Sequence, residues 1–156
     1  MSYAKGFTEL IVYQKAKGVS KTVFQVSQTF PKEEMHSLTD QMRRAARSVG
    51  AQIAEAWAKR RYEKHFVSKL TDADAEQMET QHWVGEALDC GCLTPAQAEK
   101  LKADLLEIGR MLGSMIEKAD AFCNASDTGQ IRETPTEYFA DRRTLDTDHG
   151  LLNTDY

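Results

Sequence analysis

From Ala98 to Phe122 the apolar residues recur at alternating steps of three and four: Ala98, Leu101, Leu105, Ile108, Leu112, Met115, Ala119 and Phe122. An α-helix turns once in 3.6 residues, so this spacing sets all eight side chains on one stripe, which a strand cannot do. A helix with one such seam gains stability only by packing on others at shallow angles. The chain supplies the others. Val12, Ala16, Val19, Val23, Val26 and Phe30 form one stripe, and Leu38, Met42, Ala45, Val49, Ile53 and Ala56, with Trp57 on the flank, form another. Phe66, Leu70, Ala73, Gln77, Thr80, Val84 and Leu88 form a third, the weakest because Gln77 and Thr80 interrupt it. With 156 residues the chain is long enough to bury a real core in one domain and carry a tail.

The stripes are separated by local stop and start signals. Phe30-Pro31 ends the first helix, since the residue before a proline is pushed out of the α region. The second is predicted from about Lys32 to Arg61, with Glu33 and Glu34 at the positive end of its dipole and Lys59, Arg60 and Arg61 at the negative end. The third is predicted from about Tyr62 to Asp89, with Gly91 as its C-terminal cap. Thr94-Pro95-Ala96-Gln97 is a capping box that opens the fourth. The prediction is an all-α fold, an up-down-up-down antiparallel four-helix bundle over residues 7–122. Residues 123–156 read as a poorly ordered acidic tail, with a short helix near Pro135–Arg143 after the second capping signal at Thr134. Folded back on a basic face, that tail would compete with phosphates.

Several functions are excluded at this level. No apolar run approaches the length of a membrane span, so no membrane partner is expected. The N-terminus lacks the apolar core of a secretory signal, and Cys90, Cys92 and Cys123 are an odd and sparse set. Both point to reduced thiols in a cytoplasmic compartment. Two Glu-x-x-His pairs, Glu33/His36 and Glu79/His82, have the spacing of di-iron carboxylate bundles. But Glu79 and His82 lie roughly 160–220° from the Phe66/Val84 stripe, and Glu33 and His36 likewise face away from the core if the second helix reaches back over them. Cys90-x-Cys92 lacks the two further ligands a zinc site needs. With no glycine-rich phosphate loop and no paired inward carboxylates, the expectation is no metal, no cofactor and no enzymatic activity.

The net charge of −4 conceals a segregation: residues 41–70 carry eight basic groups against only Glu55 and Glu63. On the second helix Arg43, Arg47 and Arg61 project within about 40° of one another, opposite the apolar side. Arg44 lies further round, and Lys59, Arg60 and Lys64 crowd the corner into the third helix. Arginine forks suit phosphate oxygens, so these residues form the candidate nucleic-acid-binding surface, whether for RNA or DNA. No aromatic platform is evident beside them, which predicts phosphate contacts without base readout. Gly50, Ala51, Ala54 and Ala58 leave a strip without bulk on the same face, read as an oligomer interface through which copies would multiply the charge. The alternative is a protein-only scaffold or adaptor that docks a protein partner on the same face.

The runs Phe7–Ala16, Phe30-Pro31, Gln41–Val49 and Gln52–Ala56, with Phe66 downstream, resemble the four-helix-bundle family of 23S rRNA intervening-sequence proteins. That family includes the accessory variability determinant of diversity-generating retroelements. The resemblance implies a barrel-like homopentamer with a basic nucleic-acid-binding surface, on which Arg43, Arg44 and Arg47 are matched positions. In the retroelement branch it implies partnership with a reverse transcriptase. The chain departs from the family pattern at Gln52 and Ala56, and again at Ala75-Glu76, where a Gly-Ser pair is usual.

Overall fold

The computed structural model describes residues 4–124, and the short helix expected near 135–143 lies outside them. Five helices follow in order: α1 Ile11–Ser27, α2 Leu38–Ala58, α3 Glu63–Asp89, α4 Pro95–Glu117 and the short α5 Ala119–Asn124. The four long helices close a ring in which α1 packs on α2, α2 on α3, α3 on α4 and α4 back on α1. Packing partners fix the antiparallel sense of α3 and α4: Gly109 faces Gln77 and Gly85 faces Lys102. The predicted four-helix bundle is the observed one.

The stripes read from the sequence are the core. Every apolar position named on α2 and α4 is buried, from Leu38 to Ala56 and from Ala98 to Met115. On α3 the stripe holds from Phe66 to Val84, and its last buried residue is Ala87 rather than Leu88. On α1 the inward position near the end is Ser27, with Val26 half-buried. Gln77 and Thr80 are buried but satisfied. Thr80 Oγ1 donates to the Glu76 carbonyl at 2.8 Å, Gln77 Nε2 donates to Asp74 Oδ1 at 2.9 Å, and Gln77 Oε1 accepts from Gln81 at 2.7 Å. A polar layer inside a bundle is tolerated when each member finds a partner.

The helix boundaries differ from the expected ones at three points, one of them the end of α2, at Ala58 rather than Arg61. The α-helical part of α2 starts at Leu38, not Lys32, after a separate 3-10 turn at Lys32–Glu34 and a kinked Ser37 (φ −123°, ψ −101°). Glu34 is the reason: its carboxylate accepts from Ser37 Oγ at 2.6 Å and from the Leu38 backbone N–H at 3.2 Å, capping the new start. These bonds hold the Glu34 carboxyl below its ordinary pKa, the Ser37 bond contributing most. The fourth helix breaks at Lys118, and α5 continues the stripe with buried Ala119 and with Phe122, whose ring stacks 5.8 Å from that of Phe66. Composition assigns Cys123 to the tail, but it lies in α5 and is buried.

The caps behave as their residues dictate. Thr94 Oγ1 accepts from the Gln97 N–H and Gln97 Oε1 accepts from the Thr94 N–H, the two halves of the capping box. Gly91, at φ +72°, ends α3: its N–H reaches the Leu88 carbonyl at 3.0 Å and the Cys92 N–H reaches Ala87 at 2.8 Å. That is a Schellman turn, and only glycine adopts its φ without strain.

Candidate nucleic-acid interface

Along α1, Tyr13, Lys17, Lys21 and Phe24 are spaced by four, four and three, one flank away from the Val12/Ala16/Val19/Val23 seam. That flank meets α2 in an open groove of about 530 Å³. Small residues make its floor, among them Ala16, Ala46, Gly50 and Ala54, and aromatic rings line it: Phe7 and Tyr13, packed edge to face at 4.9 Å, and Phe24. Lys17 and Lys21 from one helix and Arg47 from the other stand along it. All three are exposed, and none enters an ion pair among the described residues.

The predicted basic face is divided by the fold. Arg43 turns toward α1, where its Nε donates to Ser27 Oγ at 2.7 Å and its guanidinium carbon lies 4.8 Å from the centre of the Phe24 ring. It is half-buried, and its outward projection with Arg47 is corrected accordingly. Arg61 lies beyond the end of α2 at Ala58, in the turn to α3, so a helical projection no longer places it beside Arg47. Arg60 folds back on its own helix end: Nη1 donates to the Trp57 carbonyl at 2.7 Å and the guanidinium stacks on the Trp57 ring at 3.9 Å. Arg44 is exposed and stands 3.7 Å from Asp40.

Lys59, Arg61 and Lys64 form an exposed corner without ion pairs among the described residues. The eighth cation, Lys69, ties α2 to α3 instead. It lies 2.9 Å from Glu55 and 3.4 Å from Asp72 and donates to Gln52 Oε1 at 3.3 Å. The Glu55 bond is the main reason its pKa is raised. The basic surface is therefore two open clusters, a groove and a corner, separated by residues that serve the fold.

The strip of small residues is also divided. Gly50 is buried beneath the Tyr13 ring of the same chain, where even an added Cβ would stand in ordinary contact, 3.6 Å from Tyr13 Cε2. It is not part of an exposed interface strip. Ala54 is half-buried in the groove, while Ala51 and Ala58 are exposed. The expectation that no aromatic accompanies the basic groups is corrected too, by Phe7, Tyr13 and Phe24 in the groove and Trp57 under Arg60. The signal that could have found the groove was the Tyr13-Lys17-Lys21-Phe24 spacing on a helix whose charge is otherwise unremarkable.

Glu33, His36, Glu79 and His82 are exposed. Glu79 and His82 lie on α3 as their angles predicted, whereas Glu33 and His36 precede α2 and the helical projection does not apply to them. Glu79 Oε1 accepts from Trp83 Nε1 at 3.1 Å, and the His82 ring packs on Trp83 at 4.8 Å. Among the described residues no group of three or more His, Cys, Asp or Glu comes together in a metal-holding arrangement. Burial pushes the Cys92 and Cys123 thiols up, away from the thiolate form. Glu76, half-buried at the departure from the family pattern, is likewise pushed up by burial and by its neighbours Glu79 and Asp72. No described helix is long and apolar enough to cross a membrane.

No curated protein matches the chain. A crystal structure of a protein of unknown function from the S23 ribosomal protein family of Bacteroides thetaiotaomicron shares its fold, with a TM-score of 0.63 and 26% identity over 69% of this chain and 99% of that one. The family model described as 23S rRNA-intervening sequence protein matches residues 8–114. That span takes in both walls of the groove, the basic corner and nearly all of the bundle. The chain belongs to the family of 23S rRNA-intervening sequence proteins.

Proposed function

We propose that this protein is a non-enzymatic, homo-oligomeric accessory protein that binds nucleic acid through phosphate contacts. The observation that carries the proposal is the convergence of Lys17, Lys21 and Arg47, from two helices, on one groove with no carboxylate paired to them among the described residues. Unpaired cations facing one depression attract a polyanion, and Lys59, Arg61 and Lys64 extend the field to the bundle corner. In its narrower form the proposal has the protein assemble as a homopentamer and assist a reverse transcriptase of a diversity-generating retroelement. That form rests on the likeness of Gln41–Val49 to the accessory proteins of such elements. Repetition around a symmetric ring would multiply the field of one groove without new contacts per copy.

The test is retention of the full chain on heparin and on RNA, with light scattering for assembly. The triple variant Lys17→Gln, Lys21→Gln, Arg47→Gln should lose retention with its helical signal intact. Equal retention by that variant overturns the site. The apolar floor of the groove favours a second reading, a protein-only scaffold, and failure of the unaltered chain to bind RNA at physiological salt would select it.

A further inference from the structure

The groove differs from a plain phosphate clamp in what lies between its cations. Phe24 is 40% exposed although it is a large apolar ring, and it lines the groove with Lys21 and Arg47. One side of the ring is backed by the Arg43 guanidinium, which is itself held by Ser27, so the ring is positioned before any ligand arrives. A duplex keeps its base faces stacked inward and offers phosphates alone, leaving this apolar surface unmatched. A single strand has both parts, flat apolar bases and a charged backbone, and aromatic rings in a basic channel are how such strands are held without sequence readout.

We infer that the α1/α2 groove takes single-stranded RNA or DNA, one base stacking on Phe24 while Lys17, Lys21 and Arg47 hold the adjoining phosphates. This rests on the nucleic-acid reading of the same groove and narrows it to unpaired strands. Arg43 acts here as a positioning residue for the ring, not as a phosphate contact.

The experiment is fluorescence anisotropy of the full chain with a labelled 12-nucleotide oligouridylate and with a 12-base-pair RNA duplex at the same salt. The single strand is expected to bind the more tightly. Phe24→Ala should weaken it by about 5- to 150-fold, the range of one lost base stack, and change duplex binding less than about twofold. Phe24→Trp should restore single-strand binding, and Phe24→Leu should not, although it keeps the site apolar. Equal affinity for the two probes, or an equal loss of both in Phe24→Ala, overturns the inference. If both probes bind and Phe24→Ala changes neither, only this inference fails. If neither probe binds the unaltered chain, the proposed function fails with it.

Discussion

Arg43 Nε donates to the hydroxyl of Ser27 across the α1–α2 interface at 2.7 Å, and Ser27 in turn occupies the last inward position of α1. A hydrogen bond to a charged donor contributes about 1.5–3 kcal/mol, and Ser27→Ala would leave Arg43 without it. Ser27→Ala and Arg43→Gln are each expected to lower the urea midpoint. Arg43→Gln is further expected to reduce heparin retention less than Arg47→Gln does. The opposite order of retention would return Arg43 to the binding surface.

Lys17 and Arg47 are unpaired on opposite walls of the groove. Each phosphate contact to a single strand adds about 0.7 to the slope of log affinity against log salt. Lys17→Gln and Arg47→Gln should each flatten that slope by about this amount, and the double variant by about twice as much. Arg110→Gln, on α4, should leave it unchanged. Slopes that do not respond would show that neither side chain meets a phosphate.

Gly109 leaves room for Gln77. A Cβ at that position would stand 2.9 Å from Gln77 Nε2, whose amide is held between Asp74 and Gln81. Alanine is favoured over glycine inside a helix by about 1 kcal/mol, yet Gly109→Ala should destabilise because the Gln77 amide can make room only by straining or breaking its bonds to Asp74 and Gln81. In a Gln77→Ala background the same change should become neutral or stabilising. A coupling of about 0.5–3 kcal/mol in the double-mutant cycle is the expected signature, and additivity would contradict the packing argument.

The Glu34 cap gives a pH dependence with a definite sign. Its carboxyl is held below the ordinary value of 4.5 by Ser37 and the Leu38 N–H. Its stabilisation is therefore complete above that value and is lost as pH falls through the lowered one. The difference in urea midpoint between the unaltered chain and Glu34→Gln should be present at pH 7 and shrink on acidification toward pH 3. A difference that stays constant across that range would mean that the charge of Glu34 does not matter to the cap.

How far the sequence can be read depends on the range of the interaction concerned. The helices, their inward faces, the Thr94 capping box and the Gly91 turn are legible because each is written within a few residues of itself. Glu33 and Glu34 read as the start of a helix, but they form a 3-10 turn before it, because the Glu34 carboxylate caps the chain at Ser37 and Leu38 instead. On the proposed binding surface, Arg47, Lys59, Arg61 and Lys64 are legible from charge alone and are exposed. Arg43 and Arg60 carry the same charge and are spent on the fold.

What the order of residues determined unaided is therefore the set of four amphipathic helices and the side each turns inward, since a period of 3.6 residues is a local property. What only the packed bundle decided is which outward residues meet. Lys17 and Lys21 join Arg47, Tyr13 covers Gly50, and Arg43 leaves the basic face for Ser27, because α1 and α2 settle in one particular axial register. That register is chosen by the fit of buried side chains between separate helices, and no short window of sequence contains it.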